Sequence, residues 1–224
     1  MRKISLAALI AISTLGTVTS LQASDVEVSG NIGATSNYIW RGMTQTLDKG
    51  SVNGGLDLSY EGFYAGTWAS NVDFGSKANY ELDLYAGYSN SIDDFSYDLS
   101  YVTFMYPDSK DDSDFSEITL ALGYSLNDLS IGASYSKTVY EEWANGKKPS
   151  YIEGTASYDF KVVSLDLSYG DYEDSGSNYT VGLSKSFDIN GKAIDLALVY
   201  SEYNADSGST NDQDNVFASI SYSF

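Results

Sequence analysis

The sequence predicts an all-β fold: a closed antiparallel up-and-down transmembrane β-barrel of about twelve strands. Three observations predict it. Apolar residues recur with period two along most of the chain, short and long polar connections alternate, and an alternating strand ends on Phe224.

The alternation is clearest in Tyr80, Leu82, Leu84, Ala86 and Tyr88, with Glu81, Asp83, Tyr85 and Gly87 on the opposite face. It returns in Ile118, Leu120, Leu122, Tyr124 and Leu126, and again in Val163, Leu165, Leu167 and Tyr169. Such ribbons have one apolar and one polar or small face. The expected strands are 26–42, 51–60, 63–73, 79–90, 95–106, 116–126, 129–140, 150–160, 163–172, 178–187, 193–203 and 215–224. Most approach the roughly 9–11 residues a tilted strand needs to cross a bilayer. Edges cannot face hydrocarbon unpaired, so such a sheet must close.

Short connections are expected at Glu61-Gly62, Ser91 to Asp94, Asn127-Asp128, near Lys161, and at Asp188 to Lys192, which holds the turn pair Asn190-Gly191. Longer ones are expected at Met43 to Gly50, Gly75 to Ala78, Pro107 to Phe115, Glu141 to Pro149, Glu173 to Ser177 and Asn204 to Asp214. Both termini then lie at the short-turn, periplasmic end. Trp40, Tyr60, Tyr64, Tyr88, Tyr158 and Phe160 stand near strand ends and fit interfacial girdles.

The N-terminus has the layout of a secretory signal: Met1-Arg2-Lys3, an uncharged and mostly apolar run from Ile4 to Val18, and a small residue at Ala23. The expected organisation is a signal peptide over 1–23 and one barrel domain over 24–224, with no linker. Composition agrees. The chain has 20 Tyr, 20 Gly, 2 Pro, no Cys and no His, and a mean hydropathy of −0.23. The net charge is −19. A field of that sign repels nucleic acid, which is excluded as a partner.

A soluble β-sandwich would alternate too, but one face of its strands must fill a packed core with large side chains. Here the polar face reads Gly, Ser, Thr, Ala and Asp.

The run Ser36-Asn37-Tyr38-Ile39-Trp40-Arg41-Gly42-Met43-Thr44-Gln45-Thr46 resembles the opening motif of the TorF family of porins. Val52 to Asp57 and Gly62 to Phe74 resemble the stretches that follow it. The resemblance implies an outer-membrane barrel acting as a porin, read at its aromatic end (Ile220, Tyr222, Phe224) by the barrel-assembly machinery. It supplies no functional residues.

If Leu56 and Leu58 face lipid, the same parity turns Asp57, Asp83, Asp98, Asp166 and Asp195 inward, with Glu27, Glu81, Glu117 and Glu153. Strand direction puts Asp57, Asp98, Asp166 and Asp195 near the periplasmic end, where they could form a ring. Arg41 is the one clear inward cation, free to hold a constriction or to pair with an inward acid. Val102, Phe104 and Tyr106 also point inward, and either narrow the lumen or are reset by a bulge. Charges lining a pore set its ion selectivity. The expected function is passive diffusion of small hydrophilic solutes with a cation preference; the competing readings are acids that only solvate the lumen, and a non-conducting structural or adhesive barrel acting through its loops. The acidic loops Asp108 to Asp114 and Asp206 to Asp214 lack the spacing of a calcium loop and are read as solvated, with divalent-cation binding the lesser alternative. No metal and no cofactor are expected. Without His, Ser-His chemistry is impossible, and no enzyme is expected. Outer-membrane lipid is the expected surroundings, and oligomeric state is open.

Overall fold

The computed structural model describes residues 26–75, 77–109, 114–141, 148–206 and 211–224. The expected signal peptide, most of the connection from Glu141 to Pro149 and the middle of the acidic loops lie outside the described residues. The barrel strands are β1 (Glu27–Thr35), β4 (Ser51–Tyr60), β5 (Phe63–Asn71), β6 (Tyr80–Ile92), β7 (Phe95–Met105), β8 (Phe115–Leu126), β9 (Leu129–Glu141), β10 (Ser150–Asp159), β11 (Ser164–Tyr172), β12 (Gly176–Ile189), β13 (Lys192–Ala205) and β14 (Gln213–Ser223). Two further short strands, β2 (Ile39–Trp40) and β3 (Met43–Thr44), pair only with each other.

The twelve strands form one closed antiparallel barrel, each paired with its neighbours in sequence. β1 closes it, pairing with β4 on one edge and β14 on the other. At that seam the backbones of Gly30 and Phe224 exchange two hydrogen bonds of 2.9 Å. The Phe224 ring lies over Gly30, and a Cβ there would stand 2.9 Å from it. Ile220 and Phe224 face outward, as expected of the aromatic end.

Two-residue turns join β4 to β5, β6 to β7, β8 to β9 and β12 to β13. In the last of these both Asn190 (φ 58°) and Gly191 (φ 80°) are left-handed. That conformation matches the twist of a tight hairpin and suits Asn-Gly. A three-residue turn at 173–175 replaces the longer loop expected between β11 and β12. Outward positions are apolar: Leu56 is 57% exposed, Leu58 52%, and Leu84, Leu99, Ile131, Leu198 and Ile220 are similar.

Two sequence expectations are corrected. The first strand stops at Thr35, not at 42. Residues 36–50 leave the wall and fold into the lumen, where Arg41 (φ 49°) and Gly42 (φ 83°) turn the chain back on itself. Trp40 therefore belongs to the interior and not to a girdle, and Tyr64, on the inner face of β5, does too. The inner face is also not uniformly small. Toward the long-loop end it carries Trp68, Val72, Phe104, Tyr106 and Phe115, which form one buried cluster with Tyr38 of the inward segment. Their rings meet mostly edge to face, as Tyr38 does on Trp68 at 5.5 Å. Phe104 and Tyr106 do point inward, and the register shift lies across from them, at Ser116/Glu117 on β8 against β9.

Toward the short turns, large inward side chains lie flat on glycine. Tyr85 on β6 crosses Gly66 on β5 to reach Asp57 on β4; Tyr64 crosses Gly87 to reach Asp98 on β7. A Cβ at Gly66 would stand 2.6 Å from the Tyr85 ring, and one at Gly87 2.5 Å from Tyr64. Gly66→Ala and Gly87→Ala should each cost about 1–3 kcal/mol, because a ring must lift off the wall. Gly154→Ala, where nothing lies within 4 Å, should be close to neutral. Urea unfolding of the protein in lipid vesicles checks the contrast.

Candidate functional site

The lumen and the segment that crosses it form the site. Ser36 to Gly50 starts beside β1 and ends beside β4, yet its contacts reach most of the wall. Tyr38 Oη donates to Glu81 Oε1 on β6 at 2.8 Å, and Tyr106 Oη donates to Glu81 Oε2 at 2.7 Å. Ile39 packs on Val199 of β13 and Phe217 of β14. Thr44 N–H donates to Gln213 on β14 at 2.9 Å. Asn37 bridges Asp48 within the segment and Asn215 on β14, at 2.9 and 3.1 Å. Thr46 has no exposed surface at all, and its hydroxyl donates to the Lys49 carbonyl at 2.6 Å.

The tip reaches furthest. Arg41 Nη1 and Nη2 donate to Glu117 Oε1 and Oε2 on β8, at 2.9 and 2.6 Å. The two side chains are 9% and 3% exposed. This is the two-pronged geometry in which a guanidinium matches a carboxylate. The guanidinium carbon also lies 4.3 Å from the Trp40 ring, 4.2 Å from Tyr151 on β10 and 5.0 Å from Tyr172 on β11. Trp40 and Tyr172 stand at 90°, and Tyr151 and Tyr172 at 89°. Tyr151 Oη lies 3.2 Å from Glu153 and 3.1 Å from Asn178.

The remaining acids singled out from the sequence all fall on the inner face of their strands. Asp57, Asp98, Asp166 and Asp195 sit near the short-turn end on four strands, β4, β7, β11 and β13. Asp57 accepts from Tyr85 at 2.5 Å, Asp98 from Tyr64 at 2.7 Å, and Asp166 from Ser157 and Ser184 at 2.6 Å each. Asp195 and Glu27 are half-buried. Glu81, Asp83, Glu117 and Glu153 lie nearer the long-loop end, around the hairpin. Asp83 is 7% exposed and Trp68 2%; the two are cross-strand partners. Asp83 Oδ1 and Trp68 Nε1 have no hydrogen-bond partner among the described residues. No group of three or more metal-ligating side chains occurs among the described residues.

Sequence reasoning missed the hairpin and the rings around its tip. A signal for the rings existed. Tyr151 shares parity with Glu153, and Tyr172 with Asp166, so both were due to face inward.

A lumen of carboxylates inside an apolar outer belt defines a class by its fold: a closed antiparallel barrel of twelve strands. The KdgM porin in complex with disordered oligogalacturonate is similar, with a TM-score of 0.56 at 12% identity over 88% of this chain and 98% of that one. An outer-membrane channel from Pseudomonas putida F1 gives 0.55 at 10% identity, over 93% and 97%. OccAB4 of Acinetobacter baumannii gives 0.48 at 14% identity over 92% of this chain, which spans 63% of the length of OccAB4. Identities this low speak for the fold alone. No curated protein matches the chain. The chain belongs to the family described as "Bacterial protein of unknown function (Gcw_chp)", whose model matches residues 20–223.

Removing one partner of a buried ion pair leaves the other charge without compensation. Glu117→Ala should therefore cost about 3–5 kcal/mol in urea unfolding, and Arg41→Asn/Glu117→Leu should cost less than Glu117→Ala alone. At the rim the hairpin's C-terminal foot is tied by Lys49 Nζ to Asp73 at 2.6 Å. The Lys49 ammonium, followed by the Gly75 N–H, holds the Asp73 carboxyl below its ordinary value. The link is thus complete above the carboxylate range and is lost as the pH falls through that lowered value. In carboxyl NMR titrations Lys49→Ala should move the Asp73 midpoint upward.

Proposed function

We propose that the chain is an outer-membrane, porin-like channel through which small hydrophilic solutes diffuse passively, with a preference for cations. One observation carries this reading. Acids face the lumen from strands all around the wall, while Arg41 is the one basic side chain facing it among the described residues, and Glu117 neutralises it. A mobile anion meets a fixed field of its own sign along the bore, and a cation meets the opposite. Phenol and hydroxyl groups donate to Asp57, Asp98 and Asp166 and hold these carboxyls against the wall.

Support for the location comes from the apolar outer belt and from the fold shared with outer-membrane channels. In this reading the belt meets outer-membrane lipid, residues 1–23 are a signal peptide removed on export, and the assembly machinery reads the strand ending in Phe224. No catalytic step is assigned to the chain. The TorF porin resemblance agrees with the same role. Its most specific stretch, 36–46, coincides with the hairpin, so the motif is the constriction itself.

The hairpin also favours a second reading, a barrel closed at rest. Rings and an ion pair bridge the bore from β1 to β8.

Planar-bilayer recording separates the two. Discrete current steps with a cation-biased reversal potential are the expected result, and Asp→Asn at 57, 98, 166 and 195 together should reduce the bias. If the wild type is silent at high protein load while a variant with 37–48 replaced by a short Gly-Ser link conducts, the closed barrel is correct. If both are silent, the channel reading fails.

A further inference from the structure

The hairpin tip sits in a site that is unusual for a structural ion pair. A carboxylate from β8 grips both amino groups of Arg41, and three rings from the hairpin, β10 and β11 surround its flat face. Two of the ring pairs stand at right angles, so they make walls and not a stack. Rings whose faces carry negative charge attract a cation lying within about 6 Å of their centres. A guanidinium is planar, weakly hydrated and forked, and suits both the walls and the carboxylate floor. An ammonium would match the charge but neither the plane nor the fork.

We infer that Glu117, Tyr151, Tyr172 and Trp40 form a guanidinium-recognition site, which the chain fills with its own Arg41 and for which guanidinium-bearing solutes compete. Three of these four residues belong to the barrel wall and remain when Arg41 leaves. The inference rests on the cation-preferring channel reading for its relevance to transport, and it names the solute class: small molecules ending in a guanidinium group. The charged and titratable neighbours favour the same cargo. Glu153 stands behind Tyr151, Glu141 extends β9, and no second basic side chain faces the cage among the described residues.

The turn supplies a clean way to empty the cage. Residues 41 and 42 are both left-handed, which is the geometry of a type I′ turn, and Asn-Gly is the pair that turn prefers. Arg41→Asn thus removes the guanidinium while suiting the hairpin backbone better than Arg does.

The test is binding of guanidinium chloride, below denaturing concentrations, to full-length protein in detergent, read by tryptophan fluorescence. Urea serves as the uncharged plane and ammonium chloride as the charge without the plane. Arg41→Asn should respond saturably to guanidinium, about tenfold more tightly than to ammonium, and wild type should respond about tenfold more weakly than the variant. Arg41→Asn/Glu117→Gln should lose the response. A folded Arg41→Asn protein, shown by heat-modifiable migration, whose response to guanidinium is no greater than to urea overturns the inference. Bilayer recording keeps this apart from the channel reading: saturable binding by a variant that passes no current supports the cage and removes the channel. Cation-selective current in Arg41→Asn that guanidinium neither blocks nor carries any better than ammonium does removes the cage and leaves the channel.

Discussion

Strand β1 carries backbone hydrogen bonds along both edges, to β4 and to β14. Once that seam is made, the sheet has no edge strand, and the two faces become an inside and an outside. Every residue of a strand then has one of two environments, set by parity alone. The apolar Leu56, Leu58 and Ile220 go outward, and Asp57, Asp83 and Asp166 go inward, because neighbouring residues on a pleated strand cannot share a face.

An enclosed polar interior then has to be occupied by something. Near the short turns this chain leaves it lined with Gly, Ser, Asn and Asp, and presses its rings flat on glycine so that they stay against the wall. Near the long loops it sends residues 36–50 across. Burying Arg41 beside hydrocarbon-like rings would be costly for a bare charge. Glu117 and the three rings offset that cost, and an anchored tip results. Ion pair and rings act together here: the carboxylate fixes the plane of the guanidinium, and the plane lets the rings sit over its faces.

The fold was legible because its signals are redundant. Period two, tight turns such as Asn190-Gly191 and the alternation of loop length each point to the same barrel. The inward acids followed from parity, which needs only one correct strand. The hairpin was not legible, because Tyr38-Ile39-Trp40 is as β-prone as a strand and no Gly or Pro separates it from β1. What separates it from β1 is tertiary: a buried cluster for Tyr38, and Glu117 lying 76 residues from Arg41. Neither leaves a local mark. The Arg41-Gly42 pair is a weak turn signal, since Arg rarely adopts a left-handed backbone without outside help. Parity alone also could not show that Tyr64 and Tyr85 cross glycines, because this depends on which residues stand side by side on neighbouring strands.

Thr35 and Ser51, the residues flanking the inward segment, are themselves partners across the β1–β4 pair. The crossing piece is therefore a cantilever with both feet on one bank. Both feet share a single stretch of rim, so the arm lies in the bore without threading between staves. Its anchorages on the far bank, β8, β10 and β11, are made later in the chain than the arm. The bore is thus spanned by contacts between residues far apart in the chain, Arg41 and Glu117 being 76 residues apart.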